Sequence, residues 1–309
     1  MLGLGSPEQI QQLENMQQRG TLGCFALTEK LAGVNSGLVV KTTATYDPAS
    51  TTFVIDTPNE GAYKNWISQG LTAEKCAVIA DLRVDGKSYG PHGFLIDLRD
   101  VDTKHVLKGV TLGDMGRKST GNDLDNAWIR FDKVVVPDSC LLTRYAEIKN
   151  GKYVQKTNEK MRIEIIGQRL MTGRIAIAQA SLEFCSQLYE RTKKYTNSKK
   201  CWSPSGEPPL GSVAHIAALF AEAEMSLLVL KEFCLKVERA LSGTLSRGLI
   251  PDARLVEAVA VAKIVAVENA ISLSFRLKQE VGSYALMGGS GFEHLDFLTC
   301  CKFAEVRSW

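Results

Sequence analysis

"LVVKTTATYDPASTTFVID", residues 38–56, reads as two strands on either side of a turn. Runs rich in Val, Thr, Ile, Phe and Tyr flank Asp47-Pro48, and such side chains favour the pleated, half-buried surface of a sheet. The same texture extends on both sides. "GCFALTE" (23–29), "KCAVIADL" (75–82), "HGFLIDL" (92–98) and "AWIRFDKVVVP" (127–137) are short apolar or alternating runs separated by Gly, Pro, Asp and Asn. The period then changes. Ile216, Leu219, Phe220, Ala223, Leu227, Leu230, Cys234 and Val237 recur at three- and four-residue steps. Leu255, Val259, Ala262, Ala266, Ala270, Leu273 and Leu277 do the same, and a third such stretch covers about 160–195. These spacings predict long amphipathic helices packed against neighbours. The expected fold class is α+β, a β domain over 20–145 followed by a helical bundle over 146–309.

The two ends read as cut edges. "SPEQIQQLENMQQRG" (6–20) has a Ser-Pro-Glu helix start and reads as the last helix of something larger. "CCKFAEVRSW" (300–309) stops without a helix-ending signal, and the C-terminal end is expected to be missing too. The polar stretch "TRYAEIKNGKYVQKTNEK" (143–160) reads as a linker between the halves. Without βαβ alternation, the glycines of "MLGLGS" and "MGGSGF" are no dinucleotide fingerprint.

The bulk numbers exclude more than they assign. A chain of 309 residues can bury a large core and hold two domains. A net charge of +3 gives no reason to expect nucleic acid. The basic group Arg191, Lys193, Lys194, Lys199 and Lys200 reads as a solvated helix end. Eight cysteines without a C-x-x-C pair read as reduced thiols, and the four scattered histidines predict no metal site. No apolar run of 18 residues is evident, so no membrane span is expected.

Four stretches carry chemistry-bearing residues at strand ends or turns. They are Thr28 and Glu29 after "GCFAL", with Asn35 and Ser36 in the small-residue loop that follows; Trp66 and Ser68 in "YKNWISQG" (63–70); the Gly-rich turn and strand of 112–137; and the glycine turn "ALMGGSGF" (285–292). A Trp with two hydroxyls in such loops suits a flat heteroaromatic ligand, the ring stacking on one face and the hydroxyls reaching its polar edge. A buried Trp with turn-forming Ser and Thr is the plainer alternative.

The chain resembles the acyl-CoA oxidase branch of the acyl-CoA dehydrogenase superfamily of flavoproteins. "TTATYDPASTTFVIDTP", "GDMGRKSTGNDLDNAWIRFDKVVVP" and "LLTRYAEIKNGKYV" are similar to oxidase segments, "GCFALTE" to the superfamily's flavin-binding strand, and "NWISQG" to a dehydrogenase motif. The similarity runs co-linearly over 18–305.

The resemblance implies a middle β-barrel or sandwich-like domain, a C-terminal four-helix bundle and, over 1–19, the terminal helix of a missing N-terminal helical domain. It also implies FAD as cofactor, contacted by Leu27, Thr28, Trp66 and Ser68, and by Lys199, Gly288, Gly289 and Gly291 from a neighbouring copy. Asn35, Ser36 and Arg174 are carried over to the acyl-CoA substrate. Glu305 of "KFAE" matches the base that removes the α-proton of the thioester, while Glu29 reads as a strand-end organiser. Departures from the pattern are Val306 after the base, Lys199 in place of an arginine and Ala285 in place of a glutamine. The implied activity is oxidation of acyl-CoA to trans-2-enoyl-CoA in fatty acid β-oxidation, with O2 reoxidising the flavin to give H2O2. A dehydrogenase that passes electrons to an electron-transfer flavoprotein, and a non-catalytic or truncated interaction subunit, are the competing readings. A homodimer or homotetramer in the peroxisome or glycosome, or else the mitochondrion, is the implied setting.

Overall fold

The computed structural model describes residues 3–32, 40–157 and 168–304. The chain divides into two compact units, Met1–Gln168 and Arg169–Trp309.

The first unit opens with helix α1 (Pro7–Gln18), started by a capping box in which Ser6 accepts from the Gln9 N–H and Gln9 reaches back to the Ser6 N–H. The helix buries no residue. Gln9 ties it down instead, donating to the Leu141 carbonyl at 2.7 Å and accepting from the Thr143 N–H at 3.0 Å.

Strands β1 (Gly23–Ala26), β5 (Lys75–Val84), β2 (Thr43–Asp47), β3 (Thr52–Asp56) and β9 (Val134–Pro137) lie in that order in one sheet, and β6 (Lys87–Asp97) pairs with the long β5 as well. β1 and β2 run parallel to β5, while the β2–β3, β5–β6 and β3–β9 pairs are antiparallel. The two runs around Asp47-Pro48 form the expected hairpin. The Asp47 carboxylate accepts from the Ala49 N–H at 3.0 Å and from the Ser50 hydroxyl at 2.7 Å, which closes the turn. Alternation in β3 sends Phe53 and Ile55 into the core, where Phe53 meets Tyr46 and Phe94 at centroid distances of 5.2 and 5.1 Å. A second, antiparallel sheet has the order β4 (Lys64–Ser68), β8 (Asn126–Phe131), β7 (Val110–Asp114).

The stretch 143–160 departs from the linker expectation. Ala146–Lys149 (β10) and Lys152–Gln155 (β11) form a hairpin through Asn150-Gly151, whose φ values of 52° and 75° match the twist of the flanking strands. The polar composition had masked an Asn-Gly turn signal.

In the second unit α2 (Gln168–Ser198), α3 (Ala214–Ser246) and α4 (Ala253–Glu280) are long, and α5 (Asp296–Phe303) has 8 residues. The helical region therefore holds three long helices and one short one among the described residues. Every residue of the first periodic set is buried in α3. In α4 the second set is buried too, except that Leu255 packs at the edge of the core. Asp252 caps α4 by accepting from the Leu255 N–H at 2.8 Å. By length and composition alone α4 meets the measure of a membrane-crossing helix, a measure that buried core helices also meet. Its inner face, from Val259 to Leu277, is filled by the helical core.

Candidate functional site

After β1 the chain runs antiparallel to the start of β4. The Asn65 N–H donates to the Thr28 carbonyl and the Lys30 N–H to the Tyr63 carbonyl, both at 2.9 Å, with Glu29 paired opposite Lys64. Thr28 therefore lies within two residues of Trp66 across the pairing. The register of β4 against β8 slips between Lys64 and Ile67, and this bulge holds Trp66 at a φ of 60°. Bulges re-aim side chains, and a bulky residue at positive φ stores strain. The outcome is an indole that is 56% exposed, with its backbone N–H 3.1 Å from the Met115 sulfur. Ser68 is exposed two residues on, and Thr28 is half-buried. The Leu27 side chain belongs to the core.

Beneath this surface lies an ion pair. Glu29 and Lys64 are both buried and 3.0 Å apart. The Glu29 carboxylate also accepts from the backbone N–H groups of Lys41 and Thr42 at 2.8 and 2.9 Å. The Lys64 ammonium donates in addition to the carbonyls of Leu27 at 3.2 Å and Ile79 at 2.7 Å. Burial pushes the Lys64 pKa down, opposed by the Glu29 charge. Glu29 is thus the strand-end organiser its position suggested. Lys64 was missed, although a lysine one step before an apolar strand is a visible signal.

On the neighbouring strand β8 the packing is tight. Tyr63 stacks on Trp128 at 5.6 Å between centroids. Trp128 lies over Gly113, where a Cβ would meet its ring at 2.2 Å, so only glycine fits there.

In the second unit Arg174 is buried on α2, and Lys199 is exposed just beyond that helix. Gly288 and Gly289 are exposed with open space where a Cβ would stand, and Gly289 and Gly291 have φ values of 85° and 96°. Glu293, overlooked in the sequence, closes this turn by accepting from the N–H groups of Gly289 and Gly291, each at 2.7 Å. Its own backbone N–H and that of Gly289, with further bonds around the turn, pull its pKa to about 2. The folded value lies below the unfolded one, so this stabilisation is complete above about pH 4.5 and is lost as pH falls from there towards 2. Hydrogen-exchange protection factors across 287–293 should fall through that window, and in the Glu293→Gln variant they should be low on both sides of it.

Asn35, Ser36 and Glu305 lie outside the described residues. Among the described residues, no group of three or more His, Cys, Asp or Glu side chains is placed to hold a metal ion, and all eight cysteines are free thiols.

No family model matches the chain. The acyl-coenzyme A oxidase of Kluyveromyces lactis is 35% identical over 210 residues, which is 66% of this chain and 28% of that protein. The chain is a relative of the acyl-CoA oxidases. The fold agrees: acyl-CoA oxidase 1 of Yarrowia lipolytica superposes with a TM-score of 0.81 at 26% identity, over 98% of this chain and 47% of that one. Acyl-CoA oxidase-2 of Caenorhabditis elegans, solved with FAD, ascaroside-CoA and ATP, gives 0.85 at 23% identity over 99% and 47%. The chain thus spans between a quarter and a half of the length of these oxidases.

Proposed function

We propose that the protein is an FAD-dependent acyl-CoA oxidase that converts acyl-CoA and O2 to trans-2-enoyl-CoA and H2O2. The observation that carries the reading is Trp66. Trp66 is a large aromatic that stands 56% exposed at a positive-φ bulge, close in register to Thr28 and two residues from Ser68. That surface fits a flat heteroaromatic ring, and the solved relative with FAD bound supports the choice.

In this reading Trp66, Thr28, Ser68 and the Leu27 backbone would hold the flavin. FAD, when bound, supplies the hydride acceptor. Lys199 and the turn Gly288, Gly289 and Gly291 of a second copy would help hold the cofactor, the missing Cβ atoms leaving room for it. Lys199 keeps a positive charge there but lacks the fork of an arginine. Arg174, Asn35 and Ser36 are assigned to acyl-CoA by the resemblance alone. Glu305 takes the α-proton, and hydrogen-bond donors hold the negative charge that develops on the thioester oxygen. The peroxisome is the proposed location, as for the human peroxisomal relative.

Peroxide formation tests the oxidase reading. Acyl-CoA added to the FAD-loaded protein in air should yield one H2O2 per enoyl-CoA. Turnover that requires a dye or an electron-transfer flavoprotein would favour the dehydrogenase reading. Flavin left unbleached by acyl-CoA without oxygen would favour an interaction subunit.

Trp66 gives a separate prediction. The Trp66→Ala change should weaken FAD binding about tenfold, measured by flavin fluorescence titration, since a stacked aromatic pair contributes about 1 kcal/mol beyond area. The melting temperature should hold, because an exposed side chain adds little to the fold.

A further inference from the structure

We propose that Cys24 and Cys76 form a peroxide-responsive dithiol, in which hydrogen peroxide oxidises Cys24 and Cys76 closes a cross-strand disulfide. The two residues are register partners on the parallel strands β1 and β5, and both are free thiols. Paired residues on neighbouring strands face the same side of the sheet, and neighbouring strands lie about 4.7–4.9 Å apart. That spacing falls within the span of about 4.4–6.8 Å between α-carbons that a disulfide bridges. Both side chains are buried in one core, Cys24 with Ala26 along β1 and Cys76 with Val78 along β5.

The two thiols are not equivalent. β1 ends the order of its sheet, so Cys24 stands on the outer strand and Cys76 on the strand inside it. Cys24 keeps 9% exposure next to the exposed Gly23, whereas Cys76 has none. The Cys76 S–H donates to the Cys24 sulfur, which holds the Cys24 pKa down and pushes that of Cys76 up; burial adds to the rise at Cys76 and opposes the fall at Cys24. The thiolate is the nucleophile, so Cys24 meets peroxide first and Cys76 is the resolving thiol. The Lys64 ammonium, held by Glu29, lies near enough to favour the charged form of Cys76.

The chemistry balances in two steps. The Cys24 thiolate attacks one peroxide oxygen, the O–O bond breaks, hydroxide leaves, and a sulfenic acid remains. The Cys76 sulfur then attacks the Cys24 sulfur, the S–O bond breaks, and the hydroxyl departs with the Cys76 proton as water. In sum two thiols lose two electrons and two protons, and one H2O2 becomes two waters. Added peroxide suffices as oxidant whatever the protein's substrate; an acyl-CoA oxidase makes that oxidant itself. The new bond closes a loop of about 50 residues and ties the strand that leads into Thr28 to the long β5, which disfavours the unfolded chain.

The test treats the full chain with H2O2 at the dose that oxidises the exposed Cys300. Catalase removes the excess, the remaining thiols are alkylated in denaturant without reduction, and peptides are mapped by mass spectrometry. Wild type should yield a peptide pair joined through Cys24 and Cys76, which dithiothreitol separates. In Cys76→Ser a dimedone adduct should collect at Cys24, and in Cys24→Ser the Cys76 thiol should stay reduced. The urea midpoint of oxidised wild type should rise by about 1 M and return on reduction, while Cys76→Ser shows no rise. Recovery of Cys24 and Cys76 as alkylated thiols beside an oxidised Cys300 would overturn the proposal. So would a Cys24 sulfenic acid in wild type that never gives way to the disulfide. Should neither serine variant fold, the wild-type peptide map decides alone.

Discussion

Replacing Glu29 by Ala is expected to destabilise the first unit by about 3–5 kcal/mol, the usual result of leaving one partner of a buried ion pair alone. Typical domains are stable by only about 5–15 kcal/mol, so the loss approaches unfolding. Two effects add here. Lys64 keeps a buried ammonium without its counter-charge, and the N–H groups of Lys41 and Thr42 lose their acceptor. Urea unfolding followed by tryptophan fluorescence measures the change. The double variant Glu29→Ala/Lys64→Met should be more stable than Glu29→Ala, because no unpaired charge is left inside. A single variant within about 1 kcal/mol of wild type would mean that the pair acts like an exposed one. The network also holds the Leu27 carbonyl and the strand facing Trp66, so weaker FAD binding should accompany partial loss.

The second large effect is chemical. Glu305→Gln in the FAD-loaded protein should slow flavin reduction by about 10²–10⁴-fold, the range expected on removal of a general base. Gln cannot take the α-proton, yet it keeps the size and polarity of the site, so flavin binding should not change. Stopped-flow absorbance under nitrogen gives the rate. Solvent deuterium entering the α-carbon of a bound substrate analogue gives an independent readout of proton removal. Unchanged exchange and reduction would assign the base elsewhere.

Much of the helical unit was legible because its signal is local. Burial on one face of a helix repeats every three to four residues, so the spacing from Ile216 to Val237 marked the core of α3 without knowledge of its neighbours. The hairpin at Asp47-Pro48 was legible for the same reason. β10 and β11 were not, since Lys, Asn and Glu dominate a short exposed hairpin and the Asn-Gly turn was outweighed by composition. Trp66 and Thr28 could be named from the resemblance, but their adjacency arises from a pairing of residues some 35 positions apart.

The sequence by itself determined the division into a strand-rich and a helical part, the periodic core of the long helices and the resemblance to the oxidases. These depend on neighbouring residues and on co-linear motifs. Only the tertiary structure decided that Glu29 meets Lys64, that a bulge turns Trp66 outwards and that Glu293 closes the glycine turn. Each is a long-range or strained contact of a polar or exposed group. A one-dimensional pattern records which residues prefer burial, but not which partner makes the burial of a charge tolerable.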